Sequence, residues 1–319
     1  MALDLRPLTL GELLDRSFGL YRRHFWLFVG IMGVPSLLGL AFGILTTVFT
    51  PQPPSPESMA STTPDPGEIL RTVIFLVAAM VGMGIVYFIT YAVALGATTV
   101  AVSELYMGRP ITIRGSFTPL RGKVGRLALL LLLVSLRTFG VLIVGAVSVG
   151  VSAAVVAAGS PIIGVLVMTS GVFGAFVLWI WLILRYAVAV PAAVLEDETA
   201  TDAIRRSIQL TRGSLWRVGV LLVFTMIITY GVLLIFQGPF VFAAALSEPG
   251  APMAFWMNLF GTIFGSIGGA FTAPLMVVAF AVLYYDLRVR HEGLDLQMML
   301  ANLGVESGVG GAGVVAPPA

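Results

Sequence analysis

Few side chains in this sequence could do chemistry, and they fall into small groups. The two histidines, His24 and His291, each stand beside arginines. A hydrolytic or metal site needs histidines and carboxylates gathered together, and neither histidine has that company in sequence. The run Glu196-Asp197-Glu198 has the donor set for a hard cation. A carboxylate run before a helix start is also favoured by the helix dipole alone, so pairing with arginine is the expectation. Ser148 and Ser152 sit in an apolar stretch with no spanning His, Lys or carboxylate to activate them. The chain has no cysteine, which removes disulfides, thiolate metal sites and a thiol nucleophile. The reading is therefore no catalytic residue, no metal and no cofactor.

Two arginines are different. Arg137 lies about 16 Å along a helix beyond Arg126, and Arg185 lies about 15 Å before Leu195 on the next one, at 1.5 Å per residue. If the chain turns near Gly159, the two fall at similar depth in one hairpin. A charge at that depth is costly unless it is paired, interior-facing or functional. Arg137 and Arg185 are candidates for holding an anion such as a lipid phosphate, which guanidinium groups grip bidentately. The plainer alternative is that both snorkel to headgroups or bond free carbonyls.

The elements that would carry these residues are long and apolar. Six stretches, at 25–49, 69–100, 124–157, 162–195, 215–246 and 253–283, each exceed the ~20 residues needed to cross a bilayer core. The chain is 58% hydrophobic and 11% charged, more apolar surface than a water-soluble core requires. Its 18 Lys and Arg are unevenly placed. Four precede the first stretch, five lie between the second and third or in the third's first turn, four between the fourth and fifth or in the fifth's first turn, and two follow the sixth. On the opposite side only Arg71 stands, in the first turn of the second stretch. Positive charge at span ends stays in the cytoplasm, so both termini are predicted to be cytoplasmic, with the first span a retained anchor. Basic residues at a membrane face suit anionic lipid headgroups and not nucleic acid.

The connections support an all-α, polytopic reading of six transmembrane helices in three parallel helical hairpins. Residues 50–68 are rich in Pro, Ser and Thr and predict a loop. Gly159-Ser160-Pro161 and Glu248-Pro249-Gly250 predict tight turns. A shift of 190 positions lays the N-terminal segment on the one before the fifth span. Thr9 then meets Thr199, Glu12 meets Asp202, and Arg16-Ser17 meets Arg206-Ser207. Arg22 meets Arg212, and Trp26 meets Trp216. A weaker middle copy keeps Ser116 and Arg121. Tyr91–Ala97 likewise resembles Tyr186–Ala192. The predicted units run over about 9–102, 103–198 and 199–303, forming one membrane domain at 1–303 before a disordered Gly-rich tail at 304–319. Each begins with an amphipathic helix in the headgroup plane. Arg16, Arg22, Arg23, Arg206 and Arg212, with Trp26 and Trp216, are the predicted interfacial lipid contacts. Gly261, Gly265 and Gly269, continued by Ala273, form a small-residue stripe for close helix approach.

These segments carry a resemblance. Leu5–Asp15 with Leu20–Phe25, Arg185-Tyr186-Ala187 with Pro191 and Glu196, Arg206-Ser207 with Leu210–Gly213, and Tyr284–Arg290 with Gly293–Leu296 are similar to the membrane-domain family of glycerophosphoryl diester phosphodiesterases. The resemblance extends to about residue 300. In the proteins that name the family, a soluble barrel joined to this membrane part performs the hydrolysis. These 319 residues hold no such barrel, so the activity is not carried over. The expectation is a non-enzymatic bacterial inner-membrane protein that engages anionic lipid, or organises the membrane or a partner. A second copy of the chain, or another membrane or soluble protein, is left open as that partner. A permease for a lipid-like or anionic solute is the alternative reading.

Overall fold

Backbone amides inside a bilayer find no water, so a long apolar run must satisfy them within its own helix. The computed structural model describes residues 6–49, 66–248 and 251–293, and among these it contains helices and no strand. In chain order they are α1 (Leu10–Arg23), α2 (Phe25–Phe49), α3 (Pro66–Tyr106), α4 (Ile113–Phe117) with a 3-10 turn at Thr118–Leu120, and α5 (Val124–Ala157). Then come α6 (Pro161–Tyr186), α7 (Ala189–Leu195), α8 (Ala200–Leu210), α9 (Leu215–Phe236), α10 (Gly238–Ala245) and α11 (Pro252–Glu292). Six helical stretches among the described residues are long and apolar enough to cross a membrane: Phe25–Val48, Val77–Tyr106, Val124–Ala157, Pro161–Leu195, Leu215–Phe236 and Pro252–Glu292. The chain is a multi-pass membrane protein.

Several boundaries differ from the sequence reading. Helix α3 begins at Pro66, so the last three residues of the expected loop are helical; the rest of that loop, the Pro249-Gly250 turn and the tail lie outside the described residues. The fifth apolar stretch breaks at Gln237. Pro239 has no N–H to give the preceding turn, and its ring crowds the carbonyl four residues back. Helix α11 runs on to Glu292, nine residues past the apolar stretch, and ends where Gly293 adopts φ 60. That left-handed cap suits a residue without Cβ.

The helices are not packed alike. Helix α11 is the axis: it packs against α1, α2, α3, α9 and α10, and touches α7 and α8. Over its most apolar stretch 61% of residues are buried, against 11–22% in the other five spans. Helices α5 and α6 pack mainly on each other. Their hairpin turns at Gly159, whose φ of 87 closes the connection. Ser152 donates to the Gly164 carbonyl (2.7 Å), and a Cβ on Gly171 would meet the Ser148 Cβ at 2.3 Å. Leu136, Phe139, Ile162, Leu166 and Phe173 all point away from the rest of the protein.

The predicted glycine stripe is real but turns. Cβ atoms on Gly261, Gly265 and Gly268 would meet Phe240, Gln237 and Phe236 at 3.4, 2.9 and 3.3 Å, so these three form the seam against α9 and α10. Gly269, which the four-residue spacing selects, faces open space. At 3.6 residues per turn a stripe drifts, and the next contact falls one residue earlier.

The segments aligned in sequence share burial. Ser17, Ser116 and Ser207 are all buried. Phe28, Leu127 and Val218 follow them at one interval, and Ile31, Leu130 and Leu221 at another, and all six are buried. Arg22, Arg121 and Arg212 are all exposed. Thr9 caps α1 by accepting from the Glu12 N–H (3.3 Å), and Glu12 accepts from the Thr9 N–H (2.8 Å). That N–H, together with Arg6, holds the Glu12 carboxyl down at about 2. Thr199 caps α8 in the same way, but the shorter Asp202 meets the Thr199 hydroxyl (2.6 Å) in place of its N–H, and pairs with Arg205 (3.5 Å).

Replacing Gly265 with Leu should cost about 1–3 kcal/mol through overpacking against Gln237. Gly269→Ala should be within about 0.5 kcal/mol of neutral, because its Cβ would meet nothing within 4 Å. Unfolding in mixed detergent micelles checks both.

Candidate functional site at the basic end of the bundle

A buried carboxylate is tolerated only when donors surround it. Asp286, near the end of α11, has a side chain with 0% exposure. It accepts from the Leu8 N–H (2.8 Å), from Arg217 Nη2 on α9 (2.9 Å) and from Arg290 Nε one turn on (3.1 Å). The same two arginines turn to the Leu8 carbonyl, Arg217 at 2.7 Å and Arg290 closer still. One residue ahead of α1 is thus held at both its N–H and its carbonyl by a charged triad.

A second lattice lies beside it. Glu196, after α7, accepts from Arg206 Nε (2.7 Å) and Nη2 (3.1 Å) of α8, a bidentate grip, and from the Tyr284 hydroxyl (2.5 Å). Glu292 accepts from Arg288 Nε (3.0 Å) and pairs with Arg206. Asp197 turns the other way, to Lys123 (2.7 Å) and Arg126 at the start of α5. Its φ of 59 is left-handed, which an aspartate tolerates better than most residues. Arg126 and Lys123 hold its carboxyl down at about 2. The acidic run is therefore split between two arginine partners. Among the described residues, no three His, Asp or Glu side chains converge as metal ligands.

The sequence-selected residues separate into two sets. Arg206 is spent inside the protein, and Arg16 donates to the Tyr106 hydroxyl (3.3 Å). Both leave the expected lipid-facing set because a carboxylate or phenol stands one helix away. Arg22, Arg23 and Arg212 are exposed, with no partner among the described residues. Trp26 and Trp216 are 76% and 77% exposed.

Arg137 and Arg185 are not brought together by any hydrogen bond, ion pair or ring contact. Arg185 stacks over Trp181 (5.0 Å to the ring centroid) and donates to the Ile208 carbonyl (3.1 Å). Arg137 is exposed on α5 with no partner among the described residues. Ser148 and Ser152 donate to the Gly145 and Gly164 carbonyls (2.6 and 2.7 Å).

Sequence reasoning missed the clamp on Leu8 and the roles of Arg217, Arg288, Arg290 and Tyr284. A signal was present: Asp286 with Arg290 and Arg288 with Glu292 are (i, i+4) pairs. What periodicity could not supply was Leu8, 278 positions away. Tyr106 and Tyr285 were missed too; their rings stack at 5.0 Å, and the Tyr285 and Ser103 hydroxyls meet at 2.7 Å.

Asp286→Asn should destabilise the protein by about 3–5 kcal/mol, because two guanidiniums lose their buried counter-charge. Asp286→Asn with Arg217→Gln should recover part of that loss, which unfolding measurements can resolve. For Asp197 the folded value lies below the ordinary 3.8, so its contribution is complete above that value and fades as pH falls towards 2. Hydrogen exchange over residues 196–199 should rise between about pH 4 and pH 2 beyond the intrinsic rate, and Asp197→Asn should show that raised exchange at every pH.

No curated protein and no solved structure gives a significant match to the chain. Residues 162–301, from the start of α6 through α11 and so including Asp286 and the Arg206–Glu196 lattice, match the family model described as the membrane domain of glycerophosphoryl diester phosphodiesterase.

Proposed function

We propose that this chain is a non-enzymatic bacterial inner-membrane protein that holds anionic lipid at its basic end, and that this end faces the cytoplasm. The asymmetry of Lys and Arg supports the orientation, since fifteen of eighteen stand at one end and Arg71 at the other. The observation that carries the lipid reading is the sorting of those cations. The clamp and the lattice consume Arg206, Arg217, Arg288 and Arg290. Arg22, Arg121 and Arg212 occupy the same place in the three segments, and each is exposed with no partner among the described residues. Exposed Trp26 and Trp216 stand four residues beyond two of them, where an amphipathic ring seats at the headgroup level. We read the three segments as copies of one unit, each presenting one free guanidinium to the same leaflet.

Arg137 extends this reading. It lies 13 residues, about 20 Å, beyond the start of α5 on a lipid-facing surface. A lipid phosphate drawn towards it would meet the guanidinium as it snorkels. Arg185 has a carbonyl and a ring already and does not share that anion.

Each cation at an anionic surface is worth about 1 kcal/mol. Arg22→Gln, Arg121→Gln and Arg212→Gln together should therefore cut the phosphatidylglycerol retained through purification by an order of magnitude or more. Arg71→Gln should leave it unchanged. Mass spectrometry of retained lipid is the measurement, and equal retention in the triple variant would overturn the proposal.

A further inference from the structure

A cavity of about 320 Å³ lies between α2, α3 and α11, lined by Pro35 and Ser36, by Tyr87 and Tyr91, and by Ser266 and Gly269 among others. That volume is at the small end of the range for sites that take organic ligands. It exists because small residues meet there. Gly39 lets the Tyr87 ring come to 3.2 Å of where a Cβ would be, and a Cβ on Gly269 would touch nothing within 4 Å. The cavity is half-enclosed, and Tyr87 at 38% exposure stands at its lipid side.

Its polar inventory is specific. The Ser36 and Ser266 hydroxyls donate to the carbonyls of Met32 (2.7 Å) and Thr262 (2.8 Å) in their own helices. Tyr87 and Tyr91 lie one turn apart with rings stacked at 5.9 Å and 9°. Neither phenol has a hydrogen-bond partner among the described residues. A hydroxyl left without an acceptor in hydrocarbon is costly, so the site offers two donors and asks for an acceptor. No charged residue lines it, which selects against a phosphate.

Depth narrows the occupant further. Pro35 and Gly39 lie 9 and 13 residues beyond the exposed Trp26, about 14 and 20 Å along α2. In a ~30 Å core that is the middle of the bilayer, beyond the boundary where phospholipid ester carbonyls sit. We infer that this cavity binds the head of a neutral prenylated quinone: a flat, uncharged ring with carbonyl acceptors for Tyr87 and Tyr91, its apolar tail leaving through the lipid-side opening. The inference does not depend on the lipid reading of the basic end.

The test uses the full chain in nanodiscs with an azido-derivative of decylubiquinone, competed by decylubiquinone, by dioleoylglycerol or by phosphatidylglycerol. Saturable labelling should fall on α2, α3 or α11 and be displaced by decylubiquinone alone. Tyr87→Phe with Tyr91→Phe keeps both rings and removes both donors. It should weaken binding tenfold or more, as losing two neutral hydrogen bonds does. Gly269→Leu fills the cavity and should abolish labelling while the unfolding temperature holds. Absent or non-saturable labelling, an unchanged affinity in the double Phe variant, or displacement by dioleoylglycerol in place of decylubiquinone would each overturn the assignment.

Discussion

The buried Asp286 carboxylate sets the register of this membrane domain. In lipid, one helix gains little apolar burial by meeting another, since acyl chains are as apolar as leucine. Position along a neighbour must then come from directional contacts. Asp286 supplies them to three separate parts of the chain at once: α9 through Arg217, α11 itself through Arg290, and the segment before α1 through the Leu8 peptide. The Glu196 lattice extends the tie to α8. Lys123 and Arg126 carry it to α5 through Asp197. The helices of the basic end thus connect back to α11 through a chain of ion pairs.

Away from that end, cohesion changes in kind. The seam of α11 against α9 and α10 depends on the missing Cβ atoms of Gly261, Gly265 and Gly268, which let backbones approach and multiply short contacts. The α5–α6 hairpin uses the same device on itself at Gly164 and Gly171. It joins the rest mainly near its basic end, where Arg126 meets Asp197 and Ser207 donates to the Arg185 carbonyl (2.7 Å). The hairpin is therefore a separately packed arm. Its exposed Leu136, Phe139, Leu166 and Phe173 present an apolar surface suited to lipid.

How much of this was legible in the sequence depends on the range of the interaction. The spans were readable because crossing hydrocarbon demands an apolar run of fixed minimum length. That the Glu196-Asp197-Glu198 run would pair with arginine was readable too, because a carboxylate near a span end is expensive alone. Glu196 pairs with Arg206 at 2.7 Å and Asp197 with Arg126. Which arginine pairs with which carboxylate was not readable, because Arg217 and Asp286 are 69 positions apart and nothing local links them. Arg16 and Arg206 looked interfacial for the same reason: amphipathicity locates a side chain on a helix but does not say what stands opposite. The glycine stripe was read at period four and contacts at 261, 265 and 268, since a true helix has a shorter turn than four residues.

The central position of α11 shows in its burial. Helix α3 is buried in the same way towards the basic end, where Ala97, Thr98, Thr99, Val100, Ala101 and Val102 are all buried in succession. Helix α11 meets α1, α2, α3, α7, α8, α9 and α10, so its positions answer to several packing surfaces and to two polar networks at once. Ala281, Val282, Leu283 and Tyr284 are all buried in succession. That leaves no face free for lipid along a full turn, whereas a lipid-facing helix keeps one side open. Helix α11 also carries Asp286, Arg288, Arg290 and Glu292, which reach α8, α9 and the residue ahead of α1 together.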